Sequence, residues 1–317
     1  TFNVSGIGCR ACYSSKIKKV VIEGGATDFQ IEQGAFCWCE NLESITIPNS
    51  VSDLQIGEEA FKNCLNFKTF NFLSNSNCRT LNIGNSAFWY SGIESFIVPD
   101  SVTELVIGHS AFGYSSLRSF IFPKNVKNLT IGGCAFFSSH IECLDLSSYT
   151  GLESIVIGDS AFSNSRIKSI ILPKNVETLK IGMQAFEDCP IECLDLSLCI
   201  NLESIVIGTS AFEGCEYFTG LDLSSCTVLN EVLIGKSAFK DCRSFVVLKF
   251  SPNLRSLVIN DNAFSCLNLK EFVVPNRVNC LKIWNDVFAN CTELKIFTIP
   301  ESVTVLTLER SSFSSYC

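Results

Sequence analysis

Eighteen cysteines among 317 residues make thiol and metal chemistry the first thing to weigh. Cys9-x-x-Cys12 has the spacing of a redox pair or of half a zinc site. A closed zinc site needs four converging ligands, however, and no second pair of this kind occurs. His109 and His140 are the only histidines. Both fall in turn-like stretches, whereas general-base catalysis needs a nucleophile and an orienting group within reach. Gly6-Ile7-Gly8 does not lead from a strand into a helix, so it lacks the frame of a phosphate loop. The residues argue against an enzyme, and no metal or cofactor is expected. Asp195 and Asp222 occupy equivalent places in successive repeats, roughly 5 Å apart if the repeats stack as strands. Two carboxylates that close raise one pKa or attract a cation, either a basic partner side chain or weakly held calcium.

A repeat positions all of these groups. Ala-Phe recurs from Ala35-Phe36 to Ala263-Phe264, with Ala11-Cys12, Val287-Phe288 and Ser312-Phe313 as variants. The thirteen copies are 24–27 residues apart, a period that points to a solenoid of stacked coils. Within one unit Ile93, Phe96 and Val98 lead to Pro99, and Val102, Leu105 and Ile107 lead to Gly108 and the Ala111-Phe112 corner. Such short alternating runs predict two strands per coil, each with one buried face. No stretch carries helical periodicity over ten residues or more. The expected fold is mostly β, with two parallel sheets, little or no helix, and Phe stacked as a core ladder. The Gly before each corner is expected to supply a positive φ.

Composition narrows the partners. Apolar residues make up 47% and charged residues 18%, so the chain buries a core. The net charge is −8 and no basic run occurs, which argues against nucleic acid. The longest apolar runs, such as Phe245-Val246-Val247-Leu248, fall far short of the ~18 residues of a membrane helix.

The unit Leu-x-x-Ile-x-Ile-Pro-x-x-Val-x-x-Leu-x-Ile-Gly-x-x-Ala-Phe-x-x-Cys is carried by Leu42, Ile45, Ile47, Pro48, Val51, Leu54, Ile56, Gly57, Ala60, Phe61 and Cys64. It resembles the BspA-like leucine-rich repeat family over nearly the whole chain. The resemblance implies a cell-surface or secreted binding protein of bacteria or protists, used in adhesion to host or matrix proteins. Residues 1–317 are expected to form a single leucine-rich-repeat solenoid domain, cut from a longer array.

Repeat position explains most of the cysteines. Cys39, Cys64, Cys189, Cys215, Cys242 and Cys291 fall four residues after the corner Ala or Val, where other units carry Ser15, Ser91, Ser115, Ser139 or Ser165. The exchange predicts a small site in which either side chain bonds the local backbone. Cys12 and Cys78 replace Phe and Val and are expected to be buried. Cys199 and Cys226, in adjacent units, are candidates for a disulfide. So many unpaired thiols would suit an intracellular, reducing compartment, against the surface habit of the family.

Two surfaces are candidates for binding. The outward residues of the first strands include Ile97, Ile121, Asp145, Ile171, Asp195 and Asp222. Beyond the corners of the amino-terminal units lie Trp38, Trp89, Tyr90 and Tyr114. The expected function is therefore protein binding through the β-faces. The alternative is a structural or scaffolding subunit that self-associates through its terminal coils.

Overall fold

The computed structural model describes residues 5–24, 26–74, 76–309 and 311–314. Among them there is no helix, and every strand pair is parallel. The chain divides into two compact units, the first ending at Glu142 and the second beginning at Cys143. Each unit is a β-solenoid.

In the first unit the second strands of successive coils form one face: Gly6–Ile7, Asp28–Ile31, Asp53–Ile56, Thr80–Ile83, Glu104–Ile107 and Asn128–Ile131. Like residues pair with like, as in Ile31↔Ile56↔Ile83. The first strands, Lys19–Val21, Ser44–Ile47, Thr69–Phe72, Ser95–Ile97 and Ser119–Ile121, make the other face. In the second unit the second strands run from Ser154–Ile157 to Val305–Leu308 as one ladder. The first strands there form three separate patches: Cys143–Asp145 with Ser169–Ile171 and Cys193–Asp195, Gly220–Asp222 with Val247–Lys249, and Glu271–Val273 with Ile296–Thr298.

The alternation of apolar residues fixes which side chains turn inward, because a strand shows successive residues to opposite faces. Leu54 and Ile56 are buried, while Asp53 and Gln55 between them are partly open. The corner Phe residues stack face to face in both units. Phe36, Phe61, Phe88 and Phe112 lie 4.9–5.3 Å apart with ring planes within 11°. Phe186, Phe212 and Phe239 lie 5.2 and 5.3 Å apart. A second aromatic row, Phe70, Phe96 and Phe120, meets the first edge-on in the first unit, with Phe88 and Phe96 at 5.6 Å and 68°. Such pairs add about 0.5–1.5 kcal/mol each beyond the area they bury.

The corners are hydrogen-bonded ladders rather than loose loops. The Phe61 amide donates to the Ala87 carbonyl at 2.7 Å, and Phe212 donates to Ala238 at 2.8 Å. The residues one before and three after the Ala donate forward in the same way, as Glu59 does to Asn85 and Asn63 to Trp89. Those two residues hold positive φ in coil after coil, for example Ser86 at 53° and Tyr90 at 53°.

The repeated Gly does not carry that positive φ, contrary to expectation. Its reason is close approach. A Cβ on Gly57 would lie 2.7 Å from the Gln33 nitrogen, and one on Gly208 would lie 2.6 Å from the Gly182 carbonyl carbon. Neighbouring backbones touch at these two glycines, whereas Glu32, Asn260 and Trp284 take the same place in other coils.

Candidate functional site

The first-strand face holds apolar groups out in the solvent. Ile97 and Ile121 pair in register and are 55% and 43% exposed. Phe96 and Phe120, the residues before them, stack at 5.4 Å and tie the two strands together. Beside them the strands Thr69–Phe72 and Ser95–Ile97 pair only at Thr69↔Ser95. They then splay around a groove of about 440 Å³ lined by Phe72, Leu73, Ile97 and Pro99.

In the second unit the same column reads Asp145↔Ile171↔Asp195 in register. Asp145 is exposed, whereas Ile171 and Asp195 are half-buried. Asp145 accepts hydrogen bonds from the Ser147 hydroxyl at 2.7 Å and the Ser147 amide at 2.9 Å, which hold its carboxyl below the usual carboxylate range. Asp195 accepts the Ser197 amide in the same way at 2.9 Å.

Asp195 and Asp222 do not act as a coupled pair. Their strands belong to separate sheets, and Asp222 pairs across its own sheet with Lys249, whose ammonium lies 2.9 Å from it. Partial burial pushes the Asp222 carboxyl up, but hydrogen bonds from Ser224 and Lys249 outweigh that and leave it below the ordinary value. The expectation of a raised pKa or a held cation thus fails at Asp222, because a lysine already supplies the positive charge. Between the two strands, where Gly220 replaces a side chain, a groove of about 310 Å³ opens beside Asp195 and Asp222.

The aromatic residues beyond the corners are partly used by the fold. Tyr90 and Tyr114 stack at 4.8 Å with parallel rings, and Trp89 meets Tyr114 edge-on at 4.9 Å. Trp89 is half-buried rather than exposed: it lies over Gly113, where a Cβ would come within 2.4 Å of its ring. Trp38, Tyr90 and Tyr114 remain 46%, 46% and 39% exposed. All three hold positive φ, at 62°, 53° and 54°. Bulky residues rarely adopt that backbone, so their presence there costs stability.

The cysteine ladder takes a form the sequence did not reveal. The Cys64 thiol donates to the Phe36 carbonyl at 3.0 Å, Cys189 to Phe162, Cys215 to Phe186, Cys242 to Phe212 and Cys291 to Phe264, each at 3.0 Å. The shorter bond runs to the preceding coil; Cys64 and Cys189 also reach their own coil, at the Lys62 and Glu187 carbonyls, at 3.9 and 3.7 Å. Serine at this place is less uniform, and the Ser15 and Ser165 hydroxyls meet the Cys39 and Cys189 sulfurs of the next coil at 3.3 and 3.6 Å. The Ser115 hydroxyl bonds its own coil at the Phe112 carbonyl, and the Ser91 and Ser139 hydroxyls have no partner. Burial pushes the Cys189 and Cys291 thiols up to about 11, so they resist ionisation and reaction. Cys78 is buried as expected, but Cys12 is only half-buried, because no described coil packs on its outer side. Cys199 and Cys226 are free thiols that point to the Pro173 and Leu196 carbonyls. Cys143 and Cys193 are exposed on the β-face, and Ser169 donates to the Cys143 sulfur at 3.2 Å.

Among the described residues no three His, Cys, Asp or Glu side chains converge as a metal site would require. His109 lies on an exposed corner, with its amide on the Asn85 side chain at 2.9 Å. No helix among the described residues is long and apolar enough to cross a membrane.

Stacked parallel strands, an inward Phe row and one hydrogen-bonded corner per coil define a leucine-rich-repeat solenoid. The sequence profile of the BspA type leucine rich repeat region, in six copies, matches residues 5–142, 81–219 and 205–317. The chain belongs to that family. It is similar in fold to the pneumococcal vaccine antigen PcpA, with 20% identity over 90% of this chain and 72% of that one and a TM-score of 0.50. A leucine rich cell surface protein from Faecalibacterium prausnitzii shares 20% identity over 95% of this chain and 86% of its own, with a TM-score of 0.41. A leucine-rich repeat protein from Bacteroides ovatus also shares 20%, over 90% and 82% of the two chains, with a TM-score of 0.42. No curated protein matches the sequence significantly.

Proposed function

We propose that this chain is a non-enzymatic repeat protein that binds another protein through its first-strand faces, at a cell surface or after secretion. The observation that carries the reading is the pair Ile97 and Ile121, large apolar side chains held in register and open to solvent on one sheet. Exposed apolar groups grouped on one face favour a protein partner. The strained, exposed aromatics at Trp38, Tyr90 and Tyr114 support a second contact area in the same unit.

The test is binding to an array of purified cell-surface and matrix proteins, with Ile97→Asp/Ile121→Asp as the variant. The reading expects at least one partner whose affinity falls tenfold or more in a variant that melts as the parent does. A partner bound equally well by both, or none at all, would overturn it.

A further inference from the structure

A polar groove of about 860 Å³ lies where the coils of the first unit enter their second strands. This falls within the roughly 300–1,000 Å³ of small-ligand clefts. Every side chain lining it is polar. The walls are set by register: Asp53, Thr80 and Glu104 are paired residues of adjacent strands, and Ser52, Arg79 and Thr103 precede them. Backbone bonds tie the steps together, with Arg79 donating to Ser52 at 2.7 Å and Thr103 to Arg79 at 2.9 Å.

Three features of the groove are unexplained by folding. Ser50 and Ser101 both line it, and their hydroxyl oxygens are withdrawn from solvent and have no hydrogen-bond partner. They hold the same place in their coils, each two residues after a proline, with Asn77 between them. The Arg79 guanidinium has no hydrogen bond or ion pair among the described residues, although its charge reaches Asp53. Unpaired buried hydroxyls cost stability, and a change of χ1 well is the movement by which a bound group would give each a partner.

We infer that this groove binds a neutral polyol, specifically the vicinal hydroxyls of a pyranose sugar. Its chemistry selects that class. Asp53 and Glu104 accept hydrogen bonds, Arg79 donates them, and the serine and threonine hydroxyls do either. Sugar hydroxyls, each both donor and acceptor, can meet Glu104, Arg79 and the two unpartnered serines together, while Ser52 and Thr80 already bond Asp53. An anion would face the two carboxylates, and Asp53 is held ionised by hydrogen bonds from Thr80 and Ser52. A cation would face Arg79. A peptide strand finds no open edge, because Thr80–Ile83 is paired along its length on both sides, and finds no apolar anchor.

Methyl glucoside, galactoside, mannoside and N-acetylglucosaminide, followed by saturation-transfer NMR on the full chain, test the site. Cyclohexanol and a sulfated disaccharide serve as controls. At least one glycoside is expected to bind, with neither control competing. Arg79→Gln should weaken it tenfold or more. Ser50→Ala/Ser101→Ala should weaken it as much and yet raise the melting temperature, since two unsatisfied hydroxyls are gone. No binding by any glycoside, displacement by the sulfated sugar, undiminished binding by the variants, or a lower melting temperature for the serine double variant would each overturn the inference. A polysaccharide and a glycoprotein carrying the bound sugar, used as competitors, separate the two natural sources.

Discussion

The two units share one frame and differ in what they hang on it. In both, a corner Phe stacks on the next Phe, and a backbone ladder runs through the corners. Three residues past the corner Ala or Val, the first unit places Trp38, Tyr90 and Tyr114 at positive φ alongside Ser14, Asn63 and Ser138, where the second places Asn164, Asp188, Gly214, Asp241, Cys266 and Asn290. Asn, Asp and Gly tolerate that backbone; Trp and Tyr do not. Both units carry ion pairs between neighbouring coils, Lys68–Glu94 in the first and Lys240–Glu213 in the second, each at 2.6 Å. The difference teaches that the inward and ladder positions make the fold, while the outer corner positions can vary in side chain from coil to coil. Three corners of the first unit carry an aromatic side chain on this backbone, and among the described residues no corner of the second does.

The largest test of the common frame is to remove one rung from each unit. Phe212→Ala should cost about 3–5 kcal/mol in denaturant unfolding. Phe88→Ala should cost at least as much, because Phe88 also meets Phe70 and Phe96 edge-on. A loss under about 1 kcal/mol in either would mean the row does not hold the coils together. Next come the corner glycines. Gly208→Ala should cost about 1–3 kcal/mol through overpacking, while Gly8→Ala should be close to neutral, since nothing lies within 4 Å of its Cβ position. Equal effects would refute the close-approach explanation.

The thiol ladder makes a smaller, two-sided prediction. Cys64→Ser should cost about 1–3 kcal/mol by leaving a buried hydroxyl unpaired, and Ser91→Cys should recover about 0.5–1 kcal/mol. Opposite signs would show that the sulfur-to-carbonyl bond is not what the position rewards. Smallest of all, Trp38→Asn should raise stability by about 0.5–1 kcal/mol while weakening partner binding, because it relieves the backbone without breaking a ring stack. A drop in stability would return Trp38 to the fold.

Much of this was legible before any coordinates. The 24–27-residue spacing of Ala-Phe and the alternation around Pro99 led directly to parallel strands and an inward Phe row. The family followed from residues such as Ile45, Ile47, Pro48 and Gly57. What stayed hidden depends on contacts between coils. Gly57 reads as a turn residue because a sequence does not show a neighbour's backbone 2.7 Å away. Cys64 and Ser91 look interchangeable until the distance to the preceding coil separates them. Lys249 neutralises Asp222 only because the register places them side by side. The polar groove escaped notice because Ser50 and Arg79 are 29 positions apart and ordinary one at a time.

The central claim is that each corner is a hydrogen-bonded rung between coils. Amide hydrogen exchange tests it directly at Phe61, Phe88, Phe212 and Phe239, whose amides donate to the following coil. The account predicts protection equal to that of the adjoining strands Asp53–Ile56 and Glu231–Ile234. Exchange of these corner amides at the rate of open turns, while the strands stay protected, would contradict it.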